Sequence, residues 1–163
     1  MDQLDVALIE AMHANPRVGD LELSRITQVA RATVQSRLTK LEDAGVITGY
    51  GPDIDLVAAG HPVITFATLE IVQGSLDDVT AELTSLPNVL EAYITSGNAD
   101  VICKIAATSL EDLKDTLLHI SQSASVARST SVIVLSELVP PRVLPMLRKG
   151  ADDGPSRSPA FRA

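Results

Sequence analysis

Along the first fifty residues, apolar side chains return at helical spacing, whereas beyond residue 60 they return at every second position. Leu4, Leu8, Ala11 and Met12 predict a first helix. The Asn15-Pro16 step ends it, because proline drives the residue before it out of helical geometry. Asp20 is placed to cap a second helix that carries Leu21, Leu23 and Ile26. A short turn, Gln28-Val29-Ala30, leads to a third helix over residues 31–44, which Gly45 stops. Val34, Leu38 and Leu41 share its inward side, so Ser36 and Thr39 project outward with Thr33 and Lys40 beside them, and Arg31 and Arg37 lie on the flanks. Residues 47–52 then read as a strand and turn, a small wing.

From His61 the alternation predicts strands over Val63–Ile71, residues 89–95, Val101–Ala107 and residues 126–138, with helices over Leu76–Ser85 and Leu110–Ser121. The order βαββαβ is that of a ferredoxin-like sandwich. A short internal repeat supports it: Ser75-Leu76-Asp77-Asp78-Val79 recurs as Ser109-Leu110-Glu111-Asp112-Leu113. Each copy offers a serine cap and acids in the first turn, where they oppose the helix dipole. The chain is thus α+β. Residues 1–50 form a winged helix-turn-helix domain, 51–60 a linker strand, 61–139 the βαββαβ domain, and 140–163 a Gly/Pro/Ser/Arg-rich tail that reads as disordered.

The strand faces predict self-association. Val101, Cys103, Ile105 and Ala107 form one apolar face, and Ile102 and Ala106 on the other are interrupted only by Lys104. The first strand likewise places Val63, Ala67, Leu69 and Ile71 on one side and Ile64 and Phe66 on the other. Two helices cover one face of a four-stranded sheet. Leaving the second in water forgoes about 25 cal/mol per Å², so a second copy of the chain is expected on it.

Composition narrows the function. The chain has 163 residues, 45% hydrophobic, 21% charged and 2% aromatic, with no Trp. So few rings argue against a platform that stacks single-stranded bases. The single Cys103 excludes an internal disulfide and a multi-cysteine metal site, and suits a reducing cytoplasm. The acidic start, Met1-Asp2-Gln3-Leu4-Asp5, is unlike a secretory signal, and no long apolar run suggests a membrane partner. Net charge is −8, yet Arg31, Arg37 and Lys40 fall within ten residues that hold no acid. Affinity for duplex DNA depends on the local field, so this face is a candidate major-groove reader; a solvated helix face is the alternative. Residues 97–100 read as a hairpin turn, or as a loop where Asp100 or the amides near Gly97 meet a small ligand. His13, His61 and His119 are scattered without metal-ligand spacing, and no nucleophilic triad or phosphate loop stands out. No metal or cofactor is expected.

Both blocks together resemble the Lrp/AsnC (feast/famine) family of transcriptional regulators. The likeness runs over residues 4–138. It rests on Leu4-Asp5, Glu22-Leu23-Ser24, Thr33-Val34-Gln35-Ser36-Arg37-Leu38, Leu41-Glu42-Asp43-Ala44-Gly45-Val46-Ile47 with Thr48-Gly49-Tyr50, Thr95-Ser96-Gly97-Asn98-Ala99-Asp100, and Val126-Ala127-Arg128-Ser129-Thr130-Ser131. The resemblance implies DNA binding through Arg31, Thr33, Gln35, Ser36, Arg37, Thr39 and Lys40. It implies a RAM/ACT-like second domain that assembles dimers into tetramers or octamers. It also implies an amino-acid effector near Ser96, Gly97, Asn98, Ala99, Asp100, Ser129 and Ser131. Three places depart from the family pattern: Gln28 and Ala30 replace the usual Gly and Ser of the turn, Ala99 replaces an aromatic, and Ser129 and Ser131 replace threonines. A tetrapyrrole (sirohaem) decarboxylase group shares the two-block architecture and is the alternative; its histidine-dependent chemistry fits poorly with three scattered histidines.

Overall fold

The computed structural model describes residues 1–151, which divide into two compact units. In the first, α1 (Gln3–Ala14), α2 (Asp20–Thr27) and α3 (Arg31–Asp43) enclose Leu4, Leu8, Ala11, Leu23, Val29 and Val34. α1 ends at Asn15 and α2 is capped by Gly19 rather than Asp20, which becomes the first helical residue. Leu21 and Ile26 of that helix are 57% and 53% exposed. On a helix of eight residues, Leu23 alone reaches the core.

Residues 44–62 hold no strand, so the wing expected over 47–52 and the linker strand over 51–60 are absent. A strand needs a paired neighbour to satisfy its backbone, and none pairs with this segment among the described residues. The Tyr50 hydroxyl donates to Glu42 and ties this segment to the end of α3. The expectation of a disordered tail from residue 140 is corrected in part. α6 (Leu144–Gly150) packs on α1, with Arg148 paired to Glu10. Its proline sits in the first turn, where no amide hydrogen is needed. The rest of the expected tail, residues 152–163, lies outside the described residues.

The second unit contains β1 (Val63–Ile71), α4 (Leu76–Ser85), β2 (Val89–Ile94), β3 (Val101–Ala107), α5 (Leu110–Ser121) and β4 (Val126–Ile133). The strands form one antiparallel sheet in the order β2-β3-β1-β4, the ferredoxin-like arrangement expected. β4 stops at Ile133, five residues short of the apolar run that extends to Leu138. Ser109 caps α5 by accepting from the Asp112 amide at 3.1 Å, whereas Ser75 begins α4 with no side-chain cap.

The two sheet faces differ as the alternation requires. Ala67, Leu69, Val101, Cys103, Ile105 and Ala107 are buried under Val79 and Leu83 of α4 and Leu113 and Ile120 of α5. On the opposite face Glu91, Lys104, Phe66 and Val132 lie in one cross-strand row, and Tyr93, Ile102, Thr68 and Thr130 in the next. Phe66 is 38%, Tyr93 57% and Val132 65% exposed. Lys104 pairs with Glu91 at 3.5 Å and Arg128 with Glu70 at 3.8 Å. This face is an apolar centre flanked by two ion pairs.

Candidate nucleic-acid and effector sites

The turn that presents α3 is held by side-chain and backbone bonds rather than by glycine. Gln28 adopts the left-handed region at φ 56°, which costs a residue with a Cβ about 1–2 kcal/mol. Ser24 offsets this: its hydroxyl donates to the Val29 carbonyl at 2.6 Å, and the Val29 amide donates to the Ser24 carbonyl at 3.2 Å. Ala30 caps α3 in an extended conformation with no side-chain bond, as the missing hydroxyl requires. Ser24 was legible in the sequence as a motif residue, but its clamping role was not.

With Val34 and Leu41 buried, α3 exposes Gln35, Ser36, Thr39 and Lys40, and leaves Thr33 half-buried beside them. These short polar side chains suit hydrogen bonds to base edges. The Gln35 amide nitrogen donates to Asp20 Oδ2 at 2.8 Å, and Arg31 Nε lies 3.8 Å from the same oxygen. Arg31 is mostly exposed, and no ion pair engages Lys40 among the described residues.

Arg37 is placed differently. One of its terminal nitrogens lies 2.6 Å from Asp2 Oδ2 and 3.1 Å from Asp5 Oδ1. Asp2 and Asp5 form a reciprocal capping box at the start of α1: the Asp5 amide donates to Asp2 Oδ1 at 3.0 Å, and the Asp2 amide donates to Asp5 Oδ2 at 2.9 Å. Asp5 is 2% exposed. Burial alone would raise the Asp2 carboxyl, but the Asp5 amide and the Arg37 guanidinium outweigh it and hold it below the usual carboxylate range. The hydrogen bond to Asp2 raises the Arg37 guanidinium in turn.

In the second unit, the loop between β2 and β3 is tied to the end of β1 through Asp100, while Ser129 and Ser131 lie across β1 on β4. The Thr95 hydroxyl donates to the Ala99 carbonyl at 2.7 Å, and its amide to the Asp100 carbonyl at 2.9 Å, closing the loop. Gly97 carries φ 149°, a conformation side chains resist. The Asp100 amide donates to the Leu69 carbonyl at 2.9 Å, and Asp100 Oδ2 accepts from the Ile71 amide at 2.8 Å. Ser129 sits opposite Leu69 and Ser131 opposite Ala67. Asp100 therefore latches the loop to β1, which leaves its second oxygen for a cation. Beside the loop, an apolar groove of about 640 Å³ runs between α4 and β2, with Ile94 and Val101 among its lining residues.

Other chemistry is sparse. The Cys103 thiol is buried and donates to the Ala67 carbonyl at 3.6 Å; burial pushes its pKa up, away from a reactive thiolate. Among the described residues, no group of three or more His, Cys, Asp or Glu side chains could hold a metal ion, and no helix is long and apolar enough to cross a membrane.

Residues 1–42 match the family model of the AsnC-type helix-turn-helix domain, and residues 64–144 that of the Lrp/AsnC ligand binding domain. The regulatory protein AsnC of Escherichia coli K12 is 30% identical over 137 residues, spanning 83% of this chain and 90% of its own length. The HTH-type transcriptional regulator FL11 of Pyrococcus furiosus is 27% identical over 135 residues, spanning 83% of this chain and 89% of its own. The solved structure of E. coli AsnC matches with a TM-score of 0.83 at 28% identity, covering 89% of this chain and 99% of that one.

Proposed function

This chain belongs to the Lrp/AsnC family of transcriptional regulators, and from that premise we propose that it is a sequence-specific, DNA-binding regulator of the cytoplasm whose second unit oligomerises and senses an amino acid. The carrying observation is the outward face of α3, where Gln35, Ser36, Thr39 and Lys40 stand free of the core that Val34 and Leu41 enter. In this reading, Ser36, Thr39, Thr33 and Gln35 approach base edges while Arg31 and Lys40 neutralise phosphates. Two subunits present two such helices to half-sites about one helical turn apart.

The apolar face bearing Phe66, Ile102 and Val132 pairs with the same face of a second copy, and such pairs assemble into tetramers or octamers. Multiplied contacts offset the acidic charge of each subunit. The effector's ammonium meets Asp100, and its carboxylate meets the amides around Gly97, with Ser96, Asn98, Ala99, Ser129 and Ser131 around them. Binding there biases assembly, a coupling typically worth about 1–3 kcal/mol. The reading needs no metal or cofactor. The regulator names of its relatives favour it over the tetrapyrrole-decarboxylase alternative.

The test is a thermal-shift screen of the twenty amino acids beside light scattering and gel shifts on the chain's own upstream DNA. At least one amino acid is expected to raise the melting temperature and change the assembly state. No shift of upstream DNA at low salt, together with a monomeric particle, would overturn the reading.

A further inference from the structure

Arg37 lies on the candidate reading helix, yet its surroundings are wrong for a phosphate contact. The guanidinium is shared between Asp2 and Asp5, so the cluster of three side chains carries a net charge of about −1 and repels a phosphate. Its geometry is also closed. Asp2 Oδ1 takes the Asp5 amide and Asp5 Oδ2 the Asp2 amide, and the two remaining oxygens both take the same Arg37 nitrogen. Every carboxylate oxygen of the capping box is used. The Asp5 carboxylate is 3% exposed, and a charge so enclosed needs its cation. Arg37 itself stands on α3 three residues beyond the buried Val34 and four before the buried Leu41. The bridge therefore spans from the middle of α3 to the first turn of α1, joining segments more than thirty residues apart in sequence. Apolar packing such as that of the core holding Val34 and Leu8 tolerates sliding and rotation; a bridge on two fixed oxygens does not.

We propose that Arg37 is a positioning residue for DNA readout: bolted to the Asp2–Asp5 capping box, it fixes the rotation of α3 so that the short side chains of Ser36 and Thr39 meet base edges, and it does not touch DNA. This deepens the DNA-binding reading above and rests on it. Two consequences separate a bolt from a phosphate ligand. Removing the cation leaves the number of neutralised phosphates unchanged, so the salt dependence of binding stays the same. Removing the acid at position 5 weakens specific binding, although losing a negative charge would ordinarily strengthen attraction to DNA.

The experiment uses the full chain with Arg37→Lys, Arg37→Ala, Asp5→Asn and the double variant Arg37→Ala/Asp5→Asn. Each is measured by fluorescence anisotropy against the chain's upstream duplex and a scrambled one, at a temperature where circular dichroism shows full helicity. All four variants are expected to lose about tenfold in affinity for the upstream duplex, the worth of one forfeited base contact. Scrambled-duplex affinity and salt slope should match wild type, and the double variant should be no worse than Arg37→Ala. A role confined to stability would leave the ratio of upstream to scrambled affinity unmoved in folded protein, and that result would overturn the proposal. So would tighter binding by Asp5→Asn, or a salt slope reduced by about one per subunit in Arg37→Ala, the mark of a lost phosphate contact. A wild-type chain that fails to distinguish the two duplexes refutes instead the DNA-reading function on which the inference stands.

Discussion

Replacing Val132 by aspartate probes the apolar sheet face proposed to carry the assembly. Val132 is 65% exposed in the single chain and lies opposite Phe66, which is 38% exposed and itself opposite Lys104. Full burial of such a side chain is worth about 1.5–3 kcal/mol, so roughly 1–2 kcal/mol of that remains to be gained when a second copy covers it. A two-fold interface counts the gain twice, and losing both copies weakens pairing by about 2–4 kcal/mol. The aspartate adds the cost of burying an unpaired carboxylate, several kcal/mol at each copy. The row holds one cation, Lys104, and it is already engaged with Glu91. Together these weaken the dimer by about a thousandfold or more, enough to leave monomers at micromolar concentration. Sedimentation velocity over a concentration series reads the mass directly, and circular dichroism verifies that the unit stays folded. A folded Val132→Asp chain with the same assembly as wild type would refute the assignment of this face.

Three further outcomes are expected. Arg31→Ala with Lys40→Ala removes four cations from a pair of subunits, so the slope of log affinity against log salt should become shallower by about 3–4; an unchanged slope in a salt titration would remove these side chains from the DNA contact. Asp100→Asn keeps an acceptor for the Ile71 amide but drops the charge. It should preserve fold and assembly while abolishing the effector-induced thermal shift, and a retained shift would place the ammonium elsewhere. The Asp2 carboxyl is depressed in the folded chain, so it contributes stability above its ordinary pKa of 3.8 that is lost as pH falls through the lower folded value. Acid titration followed by circular dichroism should show this limb in wild type and a weaker one in Arg37→Ala, and identical acid limbs would contradict the pairing.

Periodicity carried much of the fold. Alternation in Val101–Ala107 set Val101, Cys103, Ile105 and Ala107 on one face and Ile102, Lys104 and Ala106 on the other, and the burial follows it as far as Ile105; Ala106 is buried as well. Leu4, Leu8, Val34 and Leu41 were legible as core for the same reason. What escaped depends on distance or on partners. Asp2, Asp5 and Arg37 look like ordinary surface charges until the fold joins positions 32 and 35 residues apart. The apolar count of α2 could not reveal that a helix so short buries Leu23 while leaving Leu21 and Ile26 in solvent. Residues 47–52 have strand composition but no paired neighbour among the described residues. At the C-terminal end, proline and glycine suggested disorder, yet Pro145 stands in the first turn of α6, where it favours the helix. In the candidate effector loop, the sequence offered Asp100 as a ligand group; its latch on Ile71 depends on a register between β1 and β3 that only the folded sheet supplies.

Fluorescence anisotropy of the intact chain on its own upstream duplex, titrated with salt and repeated on a scrambled duplex, tests the account most directly. An assembled particle is expected that prefers the upstream duplex by about a thousandfold or more at physiological salt and releases it steeply as salt rises. Equal affinity for the two duplexes, or none for either, would contradict it.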